Sequence, residues 1–167
     1  MTAQAHAPDP AADARDVVST RLLPAPRGLV YRAFGDPELL ARWWGPAGFA
    51  STFHEFDLRP GGAWRLVMRG PDGAEYPMQR EFLEVVNGER VVLRHPQPGH
   101  EFTMTMTFAD DAGGTRLTWR MRFDSAEHAA AIRDFIAAAN EQNLDRLEAQ
   151  LAALSAGEEP PRAGAEA

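Results

Sequence analysis

The sequence predicts an α+β fold in which a curved antiparallel sheet of about seven strands wraps around a long C-terminal helix, with two short helices after the first strand. Three observations predict it. From Ser51 to Phe123 apolar and polar residues alternate with a period of two, interrupted by recurrent turn signals. Beyond Ser125 the period turns helical, and Ile132, Phe135, Ile136, Ala139, Leu144, Leu147, Leu151 and Leu154 form one stripe. Between an isolated first strand and the alternating region lie two short helical patterns.

Arg15 to Leu23 reads as the first strand, stopped by Pro24 and Pro26, which cannot donate to a ladder. RGLVYRAF and DPELLARWW follow as helices separated at Gly35, with Asp36 as N-cap and Pro37 in the first helical position. Six strands in meander order come next, punctuated at Pro60-Gly61-Gly62, Pro71-Asp72-Gly73, Asn87-Gly88, Pro98-Gly99 and Asp111 to Gly114. Trp64, Leu66 and Met68 share a face, as do Phe102, Met104, Met106 and Phe108, and Leu117, Trp119, Met121 and Phe123. Arg and Thr fill the alternate positions, so one side of the sheet is apolar and the other wet. Alternation is poorer at Phe53 to Leu58 and Tyr76 to Val86, where a bulge or bend is expected.

Ser125 caps the last helix and Glu127 complements its dipole. The helical stripe requires an apolar surface, and the concave face of the sheet is the large one available. Burial there stabilises by roughly 25 cal/mol per Å². Residues 1–14 and 155–167 are rich in Ala, Pro and acidic residues without hydrophobic period and read as disordered tails, which leaves residues 15–154 as a single domain.

Composition excludes several functions. A net charge of −7 argues against a nucleic-acid partner, which needs a basic surface. All 17 basic residues are Arg, so no lysine Schiff base can form, and the absence of Cys removes disulfides, thiolate nucleophiles and thiolate metal ligands. Residues 1–14 lack the basic start and apolar run of a secretory signal, and no stretch approaches the roughly 18 apolar residues of a membrane span. The cytoplasm is the expected compartment, membrane insertion is not expected, and a homodimer is compatible with the sequence.

A curved sheet gripping a helix tends to leave a pocket, and the predicted inward positions are heavy in Trp and Met. Trp64, Leu66, Met68, Phe82, Met104, Met106, Trp119 and Met121 from the sheet, with Ile132, Phe135 and Ile136 from the helix, are the candidate walls. Methionine adapts to varied ligands; the competing reading is that these side chains simply fill the interior. Among polar residues, His95 shares parity with Val91 and Leu93, and Arg80 and Glu84 share parity with Phe82, so all three are candidates to face the cavity. The simpler account makes His95 a strand-end residue beside solvent and Arg80 with Glu84 a surface pair. The histidines are too scattered to suggest a metal, and no nucleophile elbow, phosphate loop or dinucleotide fingerprint occurs. No catalytic residue, cofactor or metal is assigned.

RWWGPAGF at Arg42 to Phe49, together with EFDLRPGGAWRLVMRGPDGAEY, EFLEVVNGERVVLRH and LDRLEAQL, resembles the bacterial family named after the activator of the heat-shock-protein-90 ATPase. That family belongs to the START and pollen-allergen-like (SRPBCC) superfamily of helix-grip ligand binders. The resemblance covers about residues 15 to 154 and rests most on Trp-Trp-Gly-Pro followed by Asp-x-Arg-Pro-Gly-Gly. It implies a helix-grip (START-like) fold, places Trp43 and Trp44 at or near the cavity mouth, with a helix end packed on the sheet as the competing reading of both, and leaves function open, because relatives of this fold bind lipids, sterols, polyketides and hormones and some are enzymes. The chain departs from the family pattern at Ala139-Asn140, where relatives often carry Gly-Trp, and near Arg80, where a glycine is common.

The expected function is binding or carriage of a small hydrophobic molecule between sheet and C-terminal helix. Two alternatives stand beside it. One is a cyclase- or hydrolase-like enzyme that uses His95, Arg80 or Glu84 for proton transfer on a polyketide-like or aromatic ligand. The other is a chaperone-interacting module, as the family name implies.

Overall fold

The computed structural model describes residues 14–99 and 101–157. The expected tails fall outside them apart from residues 14 and 155–157. The elements run β1 (Asp16–Leu23), α1 (Arg27–Gly35), α2 (Pro37–Trp43), β2 (Ala50–Phe56), β3 (Ala63–Arg69), β4 (Glu75–Val86), β5 (Arg90–His95), β6 (Phe102–Asp111), β7 (Gly114–Phe123) and α3 (Ala126–Ser155). All seven strands form one antiparallel sheet in the order β1-β7-β6-β5-β4-β3-β2. Strands β2 to β7 are a meander, and the α1–α2 pair carries the chain from one sheet edge to the other, across the concave face.

The capping residues behave as their chemistry dictates. The Asp36 carboxylate accepts from the Glu38 N–H at 3.0 Å with Pro37 in the first turn, and the Ser125 hydroxyl accepts from the His128 N–H at 3.0 Å. Asp16, buried at the start of β1, takes the Arg122 guanidinium in a two-pronged bond at 2.7 and 2.9 Å, which locks the edge strand to β7.

Two bulges shape the sheet, both in the strands of poor alternation. In β2 the pairing slips between Phe53 and Glu55, which lets Phe53 and Phe56 both face inward onto Trp64. In β4 it slips between Phe82 and Glu84. Inward parity passes from Phe82 to Val85, which packs on the core, while Glu84 turns outward and forms an ion pair with Arg90. The parity that grouped Glu84 with Phe82 is therefore broken by one inserted residue.

Helix α3 lies along β1, with further contacts to α1, α2 and β7. Its buried face is Ala129, Asn143, Leu144, Leu147 and Leu151, with Ile132 and Ile136 partly buried against the core. Phe135, expected on that face, is 75% exposed. Successive residues on a helix are 100° apart, so Phe135 falls beside the line through Ile132 and Ile136 rather than on it.

The interior is dominated by aromatic rings. Trp43 stacks on Trp119 at 6.1 Å between centroids, Trp44 meets Trp64 edge-on at 5.0 Å, and Trp64 stacks on Phe82 at 6.2 Å. Each such pair adds about 0.5–1.5 kcal/mol beyond its buried area.

Candidate functional site

The corner where α2 ends and β2 begins is built to hold one wall of a cavity. The Trp43 indole donates to the Ala33 carbonyl at 2.9 Å, which ties α2 to α1. The Asn143 amide donates to the Trp43 carbonyl at 2.6 Å. Arg146 donates to the carbonyls of Arg42, Trp44, Gly45 and Pro46 at 2.9 to 3.3 Å. These contacts include carbonyls at the end of α2 that have no helical partner. Partial burial at this site lowers the Arg146 pKa from its ordinary value. At Gly45 φ is +105°, a left-handed conformation that favours glycine.

Between this corner, the sheet and α3 lies a recess of about 110 Å³. Its sheet wall carries Met68, Arg80, Phe102, Met104, Trp119 and Met121, its corner wall Trp44, Gly45 and Pro46, and its helix wall Ala139, Asn140 and Asn143. The space is smaller than the roughly 300–1,000 Å³ of a pocket for drug-sized ligands, and close to the about 150 Å³ apolar cavity that accepts benzene. The large indoles and thioethers take up most of the interior between sheet and helix.

Six of the side chains expected from the sequence meet at this recess: Trp44, Met68, Arg80, Met104, Trp119 and Met121. Trp64, Leu66, Phe82 and Met106 are buried but belong to the packed core behind it. Trp43, expected near the mouth, is instead sealed between α1, α3 and Trp119. Ile132 and Ile136 pack on the core without bordering the recess, Phe135 projects outward, and Glu84 is on the outer side of β4. Gly45, Pro46, Phe102 and Asn143 were not among the expected walls, whereas Ala139 and Asn140 were expected to alter the wall as departures from the family pattern. Phe102 alternates with Met104 and was legible as inward, whereas Asn143 is a polar residue on an apolar helical face whose bond to Trp43 no spacing announces.

Arg80 and His95 depart most from their simple readings. Neither is at the surface: Arg80 is 7% and His95 3% exposed. The Arg80 guanidinium carbon lies 4.9 Å from the Trp64 ring centre, 5.3 Å from Trp44 and 6.0 Å from Phe102. Its Nε donates to His95 Nδ1 at 3.4 Å, a long contact, and its Nη2 to the Met78 sulfur at 3.5 Å, a weak acceptor. Burial pulls the Arg80 pKa down to about 10. His95 stacks on Phe102 at 4.8 Å and borders a separate surface depression with Arg94, Thr103 and Arg122. Of the three candidates for proton transfer, Arg80 alone borders the recess; His95 lies behind it in contact with Arg80, and Glu84 faces away.

Comparison with known proteins places this architecture. Residues 24–152 match the family model described as Activator of Hsp90 ATPase homolog 1-like protein. A crystal structure of a Nitrosomonas europaea protein is 26% identical with a TM-score of 0.78, covering 86% of this chain and 98% of that one. One from Chromobacterium violaceum is 28% identical with a TM-score of 0.72, covering 87% and 99%. A Silicibacter pomeroyi protein named for the same family, 20% identical with a TM-score of 0.67 and covering 82% and 97%, shares the fold. No curated protein matches the sequence. Among the described residues no helix is long and apolar enough to cross a membrane.

Proposed function

The chain belongs to the Activator of Hsp90 ATPase homolog 1-like family, and from that premise we propose that it binds a small apolar molecule in the recess between sheet, α2–β2 corner and α3. The observation that carries this reading is the recess itself, about 110 Å³ walled by Trp44, Met68, Met104, Trp119, Met121 and Ala139. Its size favours a guest of about one ring over a sterol or a long acyl chain. Affinity comes from removing the ring from water against indole and thioether surfaces. The methionines can shift to admit a somewhat larger guest.

Toluene is a suitable probe. At ten times its Kd it raises the unfolding midpoint of the wild-type protein by about 3 °C. Ala139→Leu fills the helix wall of the recess and abolishes the shift. An unchanged midpoint in the wild type, or a shift that survives Ala139→Leu, contradicts the proposal.

A further inference from the structure

Building on the reading of the recess as a binding site, we infer that its occupant is a small monocarboxylate, a single-ring or branched acid whose anion pairs with Arg80. Buried cations in proteins are normally matched by a carboxylate. Arg80 has no such partner among the described residues, although it is deeply buried and borders the recess.

The local hydrogen-bond inventory is one-sided. Arg80 Nη1, Trp64 Nε1 and Trp119 Nε1 are buried with no acceptor. Trp119 borders the recess and Trp64 lies under the guanidinium. All three groups are donors only, so the missing complement is an acceptor. Asn140 and Asn143 do not supply it through their amide N–H groups, which are bonded to Ser19, Met121 and Trp43. A water would accept hydrogen bonds but leave the charge uncompensated, whereas a carboxylate does both through charge-assisted bonds. A single positive charge in an apolar chamber favours a monoanion over phosphate or sulfate, whose second charge would be buried unmatched. The rest of the wall, indole and thioether, suits the hydrocarbon part of such an acid.

The guanidinium is enclosed. Pairing therefore needs a side-chain adjustment of Arg80 or of the flexible thioethers at Met68, Met78 and Met104.

Benzoate and benzamide share a ring and nearly a volume but differ in charge, and toluene has no polar group. Titrations followed by the indole N–H signals in NMR compare the three at neutral pH. Benzoate is expected to bind the wild type at least ~10-fold more tightly than benzamide. Arg80→Met removes that preference, and Arg80→Lys, which keeps the charge, retains part of it. Equal binding of benzoate and benzamide to the wild type overturns the inference, and that comparison needs no variant to fold. So does a preference that survives Arg80→Met. Toluene binding with benzoate silent overturns the carboxylate and leaves the apolar-guest reading standing; silence of all three overturns both.

Discussion

The guanidinium of Arg80 lies against the face of Trp64, 4.9 Å from carbon to ring centre, with the Trp44 ring on another side at 5.3 Å. A desolvated cation of this kind gains about 2 kcal/mol from an aromatic face. Its dehydration costs more than that, which is why its pKa falls to about 10.

Arg80→Met should therefore stabilise the protein, by about 1–3 kcal/mol at neutral pH, since an apolar side chain of similar length needs no dehydration. The pH dependence has a definite sign. The folded pKa lies below the unfolded value, so the folded state binds fewer protons and the penalty on wild type is full at neutral pH. It is relieved as pH rises from about 10 towards the higher pKa of the unfolded chain. Chemical denaturation of both proteins at neutral pH and near pH 11 checks this: the advantage of Arg80→Met narrows at the higher pH. An Arg80→Met protein less stable than wild type at neutral pH contradicts it.

Arg146→Ala strips the donor from the four carbonyls at residues 42, 44, 45 and 46. The expected loss is about 1–3 kcal/mol in urea unfolding. Because that corner carries Trp44, Gly45 and Pro46 of the recess, toluene binding weakens as well. Arg146→Lys recovers less than half of the stability, since an ammonium cannot span the four acceptors.

Gly62 lies in the Asp-x-Arg-Pro-Gly-Gly turn, where an added Cβ would lie 1.9 Å from the Asp57 carbonyl oxygen. Backbone cannot yield as a side chain does, so Gly62→Ala costs more than about 3 kcal/mol or prevents folding. Gly28→Ala in α1 meets no heavy atom within 4 Å and stabilises by up to ~1 kcal/mol. Thermal unfolding of the two variants separates them, and similar midpoints would contradict the close approach at Gly62.

The elements and their order were legible because each rests on local chemistry: alternation in β3, β6 and β7, the Asp36 and Ser125 caps, and glycine turns between strands. The site was less legible, for physical reasons that can be named. The position of Glu84 depends on one residue inserted between Phe82 and its successor, and parity counting carries the wrong face past such a bulge. Phe135 sits at helical spacing from Ile132 and Ala139, yet α3 leans on β1, α1 and α2 rather than on the middle of the sheet, which leaves that side chain in water. Arg80 pointed inward by parity, but an unpaired buried arginine is costly enough that a surface position was the simpler expectation.

Binding in the recess requires a guest seated between the sheet and α3. The most direct measurement is intermolecular NOEs from bound toluene to methionine methyl groups. Contacts to the methyls of Met68, Met104 and Met121 are predicted, with none to the groove at Tyr31 and Leu58. Saturating toluene that gives no NOE to those three methyl groups, or NOEs only to the Tyr31 groove, would contradict it.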